Sequence, residues 1–141
     1  MNVFNLFKRK ATNPITGLQQ QVLRKYGIEL VNRDPARRIY KKTIRGGGMM
    51  EDFFELSFNS PQDLDRLMSV ATHMQQGNNP PFEGDECEFF CISTCAFVEP
   101  EGMEFCESQQ DGSPLKLVQT VPLADFIIIT QAWKAFLWEG R

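Results

Sequence analysis

Histidine occurs once in these 141 residues, tyrosine and tryptophan twice each, and no apolar run exceeds four residues, as in Phe126-Ile127-Ile128-Ile129. A membrane-spanning helix needs ~20 consecutive apolar residues, so none is expected. With His73 alone, nucleophile–base pairs that need a nearby imidazole and metal sites built on several histidines have almost no material. The four cysteines, Cys87, Cys91, Cys95 and Cys106, are spaced like no structural zinc set, and Gly46-Gly47-Gly48 lacks the Lys and Ser/Thr that follow a phosphate-binding loop. No metal or cofactor is therefore expected, and no residue is assigned a catalytic role. At the N-terminus the cations Lys8, Arg9 and Lys10 follow a short apolar patch, the reverse of a secretory signal. A cytoplasmic protein with reduced thiols is expected.

Charge is present in quantity and unevenly placed. Residues 1–48 carry eleven Lys or Arg against Glu29 and Asp34, a local balance of +9. Residues 49–112 reverse it: Arg66 is the only cation against fourteen acids, a balance of −13. The total of −3 hides both fields. Such asymmetry speaks about partners and association rates rather than fold. Asp85, Glu86, Glu88, Glu99, Glu101, Glu104, Glu107 and Asp111 are expected to gather around one hairpin as an anionic, partner-binding surface. A surface of that kind fits a basic cleft, such as a nuclease's, by imitating phosphate. The cations of the first third are scattered over a helix, a turn and an edge strand, with Tyr26 and Tyr40 the only tyrosines among them. They give an alternative: a small adaptor or regulatory protein that binds nucleic acid or an anionic membrane surface. An enzyme of unrecognised type is the second alternative.

Hydrophobic residues make up 42% of the chain and phenylalanine contributes twelve, so one ordinary globular core is expected. Ile15, Leu18, Val22 and Leu23 form a helical stripe between Asn13 and Tyr26 that Gly27 stops. Short strands follow at Ile28 to Val31 and at Arg38 to Arg45, where Lys41 and Lys42 suit an exposed edge. Met50, Phe54, Leu56 and Phe58 alternate with polar residues and predict a strand. Ser60-Pro61 with Asp63 opens a helix whose buried stripe is Leu64, Leu67, Met68, Ala71 and Met74, and His73 lies off it. Glu86 to Val98 reads as one strand, Gly102 to Ser108 as its hairpin partner and Leu115 to Gln119 as a third, a register that puts Cys95 opposite Cys106. The chain closes in a helix from Val121-Pro122 to about Trp138, although Phe126 to Ile129 also admits a strand.

The expectation is α+β: one domain over residues 1–141, with 1–12 loosely ordered. It has a mostly antiparallel sheet of about five to six strands and about three packed helices, in the order α-β-β-β-α-β-β-β-α. Phe54, Leu56, Phe58, Leu67, Phe90, Ile92, Phe126 and Trp133 are its expected core.

Val121-Pro122-Leu123-Ala124-Asp125-Phe126, followed by Trp133-Lys134-Ala135-Phe136-Leu137, resembles the closing helix of small bacterial immunity proteins. Those belong to contact-dependent growth inhibition and related polymorphic toxin systems. The likeness covers Val121 to Leu137. It implies a non-enzymatic, cytoplasmic protein that binds a cognate toxin domain and blocks it, and it carries no toxin-contacting residue over by position.

Overall fold

Capping and glycine placement mark where the chain changes direction. In the computed structural model, residues 16–32, 42–77, 88–90, 94–107, 109 and 111–138 are described, with the backbone alone for Glu88 and Phe90. Helix α1 (Gly17–Lys25) starts at Thr16, and the expected start at Asn13 lies outside the described residues. The Thr16 hydroxyl accepts the Gln19 N–H while the Gln19 side chain accepts the Thr16 N–H, a reciprocal cap. Val22 and Leu23 are buried, but Leu18 is 58% exposed and does not belong to the buried stripe. Strands β1 (Glu29–Asn32) and β2 (Lys42–Arg45) pair antiparallel as a two-stranded sheet of their own.

The expected strand at residues 50–58 is a helix. Gly46, Gly47 and Gly48 all have positive φ, 84°, 81° and 65°. They reverse the chain so that α2 (Met50–Asp52) begins directly and continues as a π-helical turn (Phe53–Ser57). Alternation was the wrong period because it left out Phe53; Met50, Phe53, Phe54 and Phe58 also fit one face of a helix. The wide turn, closed by the Phe58 N–H donating to the Phe53 carbonyl at 3.1 Å, brings the Phe58 ring over the Phe53 ring at 4.4 Å. Leu56 is 57% exposed and is not in the core.

Helix α3 (Pro61–Gln75) starts as expected, with the Ser60 hydroxyl accepting the Asp63 N–H and proline in the first turn, and it buries Leu64, Leu67, Val70 and Ala71. The expected strand at 86–98 divides in two. Strands β3 (Glu88–Phe90), β4 (Thr94–Glu99), β5 (Gly102–Glu107) and β6 (Lys116–Val121) form an antiparallel meander. Among the described residues the order is therefore α-β-β-α-α-β-β-β-β-α, and their six strands form sheets of two and four instead of one sheet. Ile92, Ile15 and residues 1–12 lie outside the described residues.

Helix α4 (Leu123–Leu137) settles the ambiguity at residues 126–129 as helix. It packs on α3 and α1 and lies against one face of the meander. Phe126, Ile129, Ala132, Trp133 and Phe136 are its buried side, and the Trp133 indole N–H donates to the Phe58 carbonyl at 3.0 Å. Phe53 contacts Phe54, Phe58, Phe105 and Phe126, so one aromatic group joins the π-helical turn, β5 and α4. Apart from Cys106, the described buried hydrophobic residues form one cluster that draws on both sheets and on α1, α2 with its π-helical turn, α3 and α4.

Four polar contacts fix the helices to this core. The Asp125 carboxylate, in the first turn of α4, accepts the Tyr26 hydroxyl at 2.6 Å and the Lys25 ammonium at 2.9 Å. Lys42 is not a bare edge cation: its ammonium donates to the Phe136 carbonyl at 2.7 Å and caps the last turn of α4. Lys134 on α4 pairs with Asp65 on α3.

Truncating Phe54 or Trp133 to Ala should cost ~3–5 kcal/mol, seen as a lower denaturant midpoint with an unchanged slope. Leu56→Ala should stay within ~0.5 kcal/mol. Equal losses at Leu56 and Phe54 would restore the strand.

Asp125 also predicts an acid response. Burial pushes its carboxyl up, but the Tyr26 and Lys25 hydrogen bonds and the Lys25 charge outweigh this and hold it below the ordinary carboxylate value. Burial and the Asp125 carboxylate push the Tyr26 phenol up. A depressed carboxyl contributes stability that is complete above the unfolded-state value and is lost as pH falls through the folded-state value. Asp125→Asn should therefore flatten the acid limb of a stability-against-pH curve. A limb as steep as the parent's would mean that other carboxyls carry it.

Candidate functional site

The meander has two faces of different character. Antiparallel partners point to the same side, so the pairs Ala96–Phe105 and Val98–Met103 line the core with Val121, which lies across from Met103. The opposite face carries Cys95, Phe97 and Glu99 from β4, Glu104 and Cys106 from β5, and Leu117 and Thr120 from β6. Across the strands these form two rows: Phe97, Glu104 and Thr120 in one, Cys95, Cys106 and Leu117 in the other.

An irregularity beside Phe105 and Cys106 shifts β6 by one residue, which leaves Val118 without a partner in the ladder. Leu115, Leu117 and Val118 are 42%, 53% and 47% exposed, three large apolar side chains within four residues at a sheet edge. Sequence reasoning read this stretch as a strand and missed the patch. The signal was there in the last strand of a meander, which has an edge by construction, carrying apolar residues without the alternation that would bury them.

The described acids do not all meet. Glu99 closes β4, and exposed Glu101 is the second residue of the two-residue turn to β5. Glu104 is the second residue beyond Gly102, the partner of Glu99, so Glu99 and Glu104 are diagonal neighbours about 7–8 Å apart on the same face. Glu107 and Asp111 sit at the other end of β5. Glu107 lies directly across from Lys116, which offsets its charge. Asp111 is committed to its own turn, where its carboxylate accepts the Ser113 N–H at 2.9 Å; hydrogen bonding from Ser113 holds its carboxyl below the ordinary value. Glu88 on β3 pairs through its backbone with Phe97 on β4, while Asp85 and Glu86 lie outside the described residues. The acidic patch thus centres on Glu99, Glu101 and Glu104, and Leu117 and Val118 lie beside it.

No comparable cationic face is built from the basic first third among the described residues. Lys25 and Lys42 are held by Asp125 and the end of α4, which leaves Arg24 and Arg45 at exposed positions. Residues 1–15 and 33–41, with the other seven cations, lie outside the described residues. His73 is half-buried, its Nδ1 2.8 Å from the Ser69 carbonyl. Among the described residues no three His, Cys, Asp or Glu side chains group as a metal would require, and no helix is long and apolar enough to cross a membrane.

No family model matches the chain, and neither a curated protein nor a solved structure shows a significant match to it.

Proposed function

We propose that this chain is a cytoplasmic immunity protein that binds a cognate toxin domain and neutralises it without catalysis, through the outer face and β6 edge of the meander. The observation that supports this reading is the pairing of an acidic group, Glu99, Glu101 and Glu104, with exposed Leu117 and Val118 on one sheet. Acids alone attract cations without holding them, and an apolar edge alone is promiscuous. Together they favour a partner with a basic cleft and an apolar rim, as a nuclease domain would offer. The carboxylates stand where phosphates of a nucleic acid substrate would sit. The likeness of residues 121–137 to immunity proteins agrees with the reading and was reached from different residues.

The test uses the protein encoded next to this chain's gene, captured with the full-length parent and with two sets of variants. Reversing Glu99, Glu101 and Glu104 to Lys should leave unfolding nearly unchanged, because Glu101 is exposed on a turn and the other two are half-buried on the outer face. Association should slow by at least tenfold at low salt, and protection of toxin-expressing cells should be lost. Leu117→Ser with Val118→Ser should raise the dissociation rate while leaving association little changed. Reversing Arg24 and Arg45 to Glu should matter far less than either. Full binding by the acidic reversal together with failure of the basic one would assign function to the cationic third, as in an adaptor for nucleic acid or anionic membrane. No toxin from the neighbouring gene or from capture would end the immunity reading.

A further inference from the structure

We propose that Cys95 and Cys106 form a dithiol oxidation site that exchanges with a small disulfide, glutathione disulfide being the model reagent, to give an intramolecular cross-strand bond. The inference does not depend on the immunity reading. Both residues are present as thiols. Their placement is the argument: β4 and β5 pair at six successive positions from Thr94–Glu107 to Glu99–Gly102, and Cys95 is the direct partner of Cys106. Directly opposed residues of an antiparallel pair have Cα atoms about 4.5 or 5.5 Å apart, and either separation falls within the range a disulfide spans. The two side chains share the outer face, so the bond would form away from the packed aromatics. Cys106 is buried to 7% exposure, yet it is outside the main core cluster. Closing the bond on the outer face leaves the core cluster untouched.

The two thiols differ in a way that sets the order of reaction. Cys95 is half-buried and the more accessible to an incoming disulfide. Cys106 is buried, and burial, Glu104 and Cys95 together push its thiol up. The Cys95 thiolate attacks one sulfur of glutathione disulfide, forming a protein–glutathione bond and releasing one glutathione thiolate, which takes up a proton. Cys106 then loses its proton to solvent and attacks Cys95 Sγ, and the second glutathione leaves. Two protein thiols are oxidised, one glutathione disulfide is reduced to two glutathiones, and the protein loses two hydrogens.

The experiment treats the folded full-length chain with glutathione disulfide in mildly alkaline buffer, blocks remaining thiols with N-ethylmaleimide, and maps peptides without reduction. The expected product links the Cys95 and Cys106 peptides, lowers the intact mass by about 2 Da when weighed before alkylation, and leaves Cys87 and Cys91 alkylated afterwards. Cys106→Ser should stop at a stable glutathione adduct on Cys95, because the resolving thiol is gone. Cys95→Ser should take up glutathione at position 106 at least tenfold more slowly than Cys106→Ser does at position 95. The bond should also raise the unfolding midpoint of the parent, and reductant should reverse this. The parent's peptide map stands even if a variant does not fold. Three results would each overturn the assignment: a link through Cys87 or Cys91 in place of this pair, no link while folded protein is recovered, or equal adduct rates in the two variants.

Discussion

Gln119 on β6 holds a turn that is not part of its own sheet, and the mutual placement of the two sheets depends on that contact. Its side-chain oxygen accepts the Met49 N–H at 2.9 Å and its side-chain nitrogen donates to the Gly47 carbonyl at 3.2 Å. On the other side of the turn, Glu51 accepts the Gly46 N–H at 2.7 Å and Glu55 accepts the Ile44 N–H at 3.0 Å. Each of these backbone groups would otherwise need another partner, because leaving one buried and unmade costs ~1–3 kcal/mol. A side chain at Gly46 would place its Cβ 2.0 Å from the Gly27 carbonyl oxygen. The glycine is thus needed for close approach as well as for its φ. Once the turn is held in this way, the chain leaves it as a helix, and Phe53 and Phe54 both enter the core.

That dependence explains which elements were legible in the sequence. Helices α3 and α4 were, because their starts are written locally: Ser60 with Pro61 and Asp63, and Pro122 with Asp125. The β4–β5 register was also legible, since Pro100 and Gly102 constrain the turn and everything behind it follows by counting. The segment 50–58 was not. Its apolar residues satisfy both periods, and the choice is made by Gln119, seventy residues away, and by a glycine turn whose geometry appears only when packed. The division of the expected strand at 86–98 into β3 and β4 likewise had no local punctuation of glycine or proline to announce it.

The candidate face was half legible. Counting charge found the acids but not their duties. Of the fourteen in residues 49–112, Glu51 and Glu55 secure the glycine turn, Asp63 lies at the start of α3, Asp65 pairs with Lys134, and Asp111 closes its own turn. A bulk charge of −13 overstates what a partner would meet, since these carboxylates serve the fold. The acids left on the outer face and its turn are few and close together, and a small focused group steers an incoming cation better than the same charge spread over a domain. Leu117 and Val118 escaped notice for the opposite reason, as ordinary strand residues whose exposure comes only from the position of β6 at the edge.

These two components divide the work of binding on physical grounds. Carboxylates exposed to water act over about a Debye length, ~8 Å at physiological salt, so they raise the rate of encounter and set its direction. They add little to residence time, because pairing exposed charges is worth ~0–1 kcal/mol. Covering what remains exposed of Leu117 and Val118 contributes on the order of 1 kcal/mol each, and that energy exists only in the docked state. It therefore slows departure rather than hastening arrival. Glu104 lies between the two components: half-buried beside Phe97 and facing outward, it would lose water on docking and must meet a cation there. A partner lacking a cation at that point would meet an unpaired buried carboxylate, so Glu104 is where this face rejects a wrong partner as well as attracting the right one.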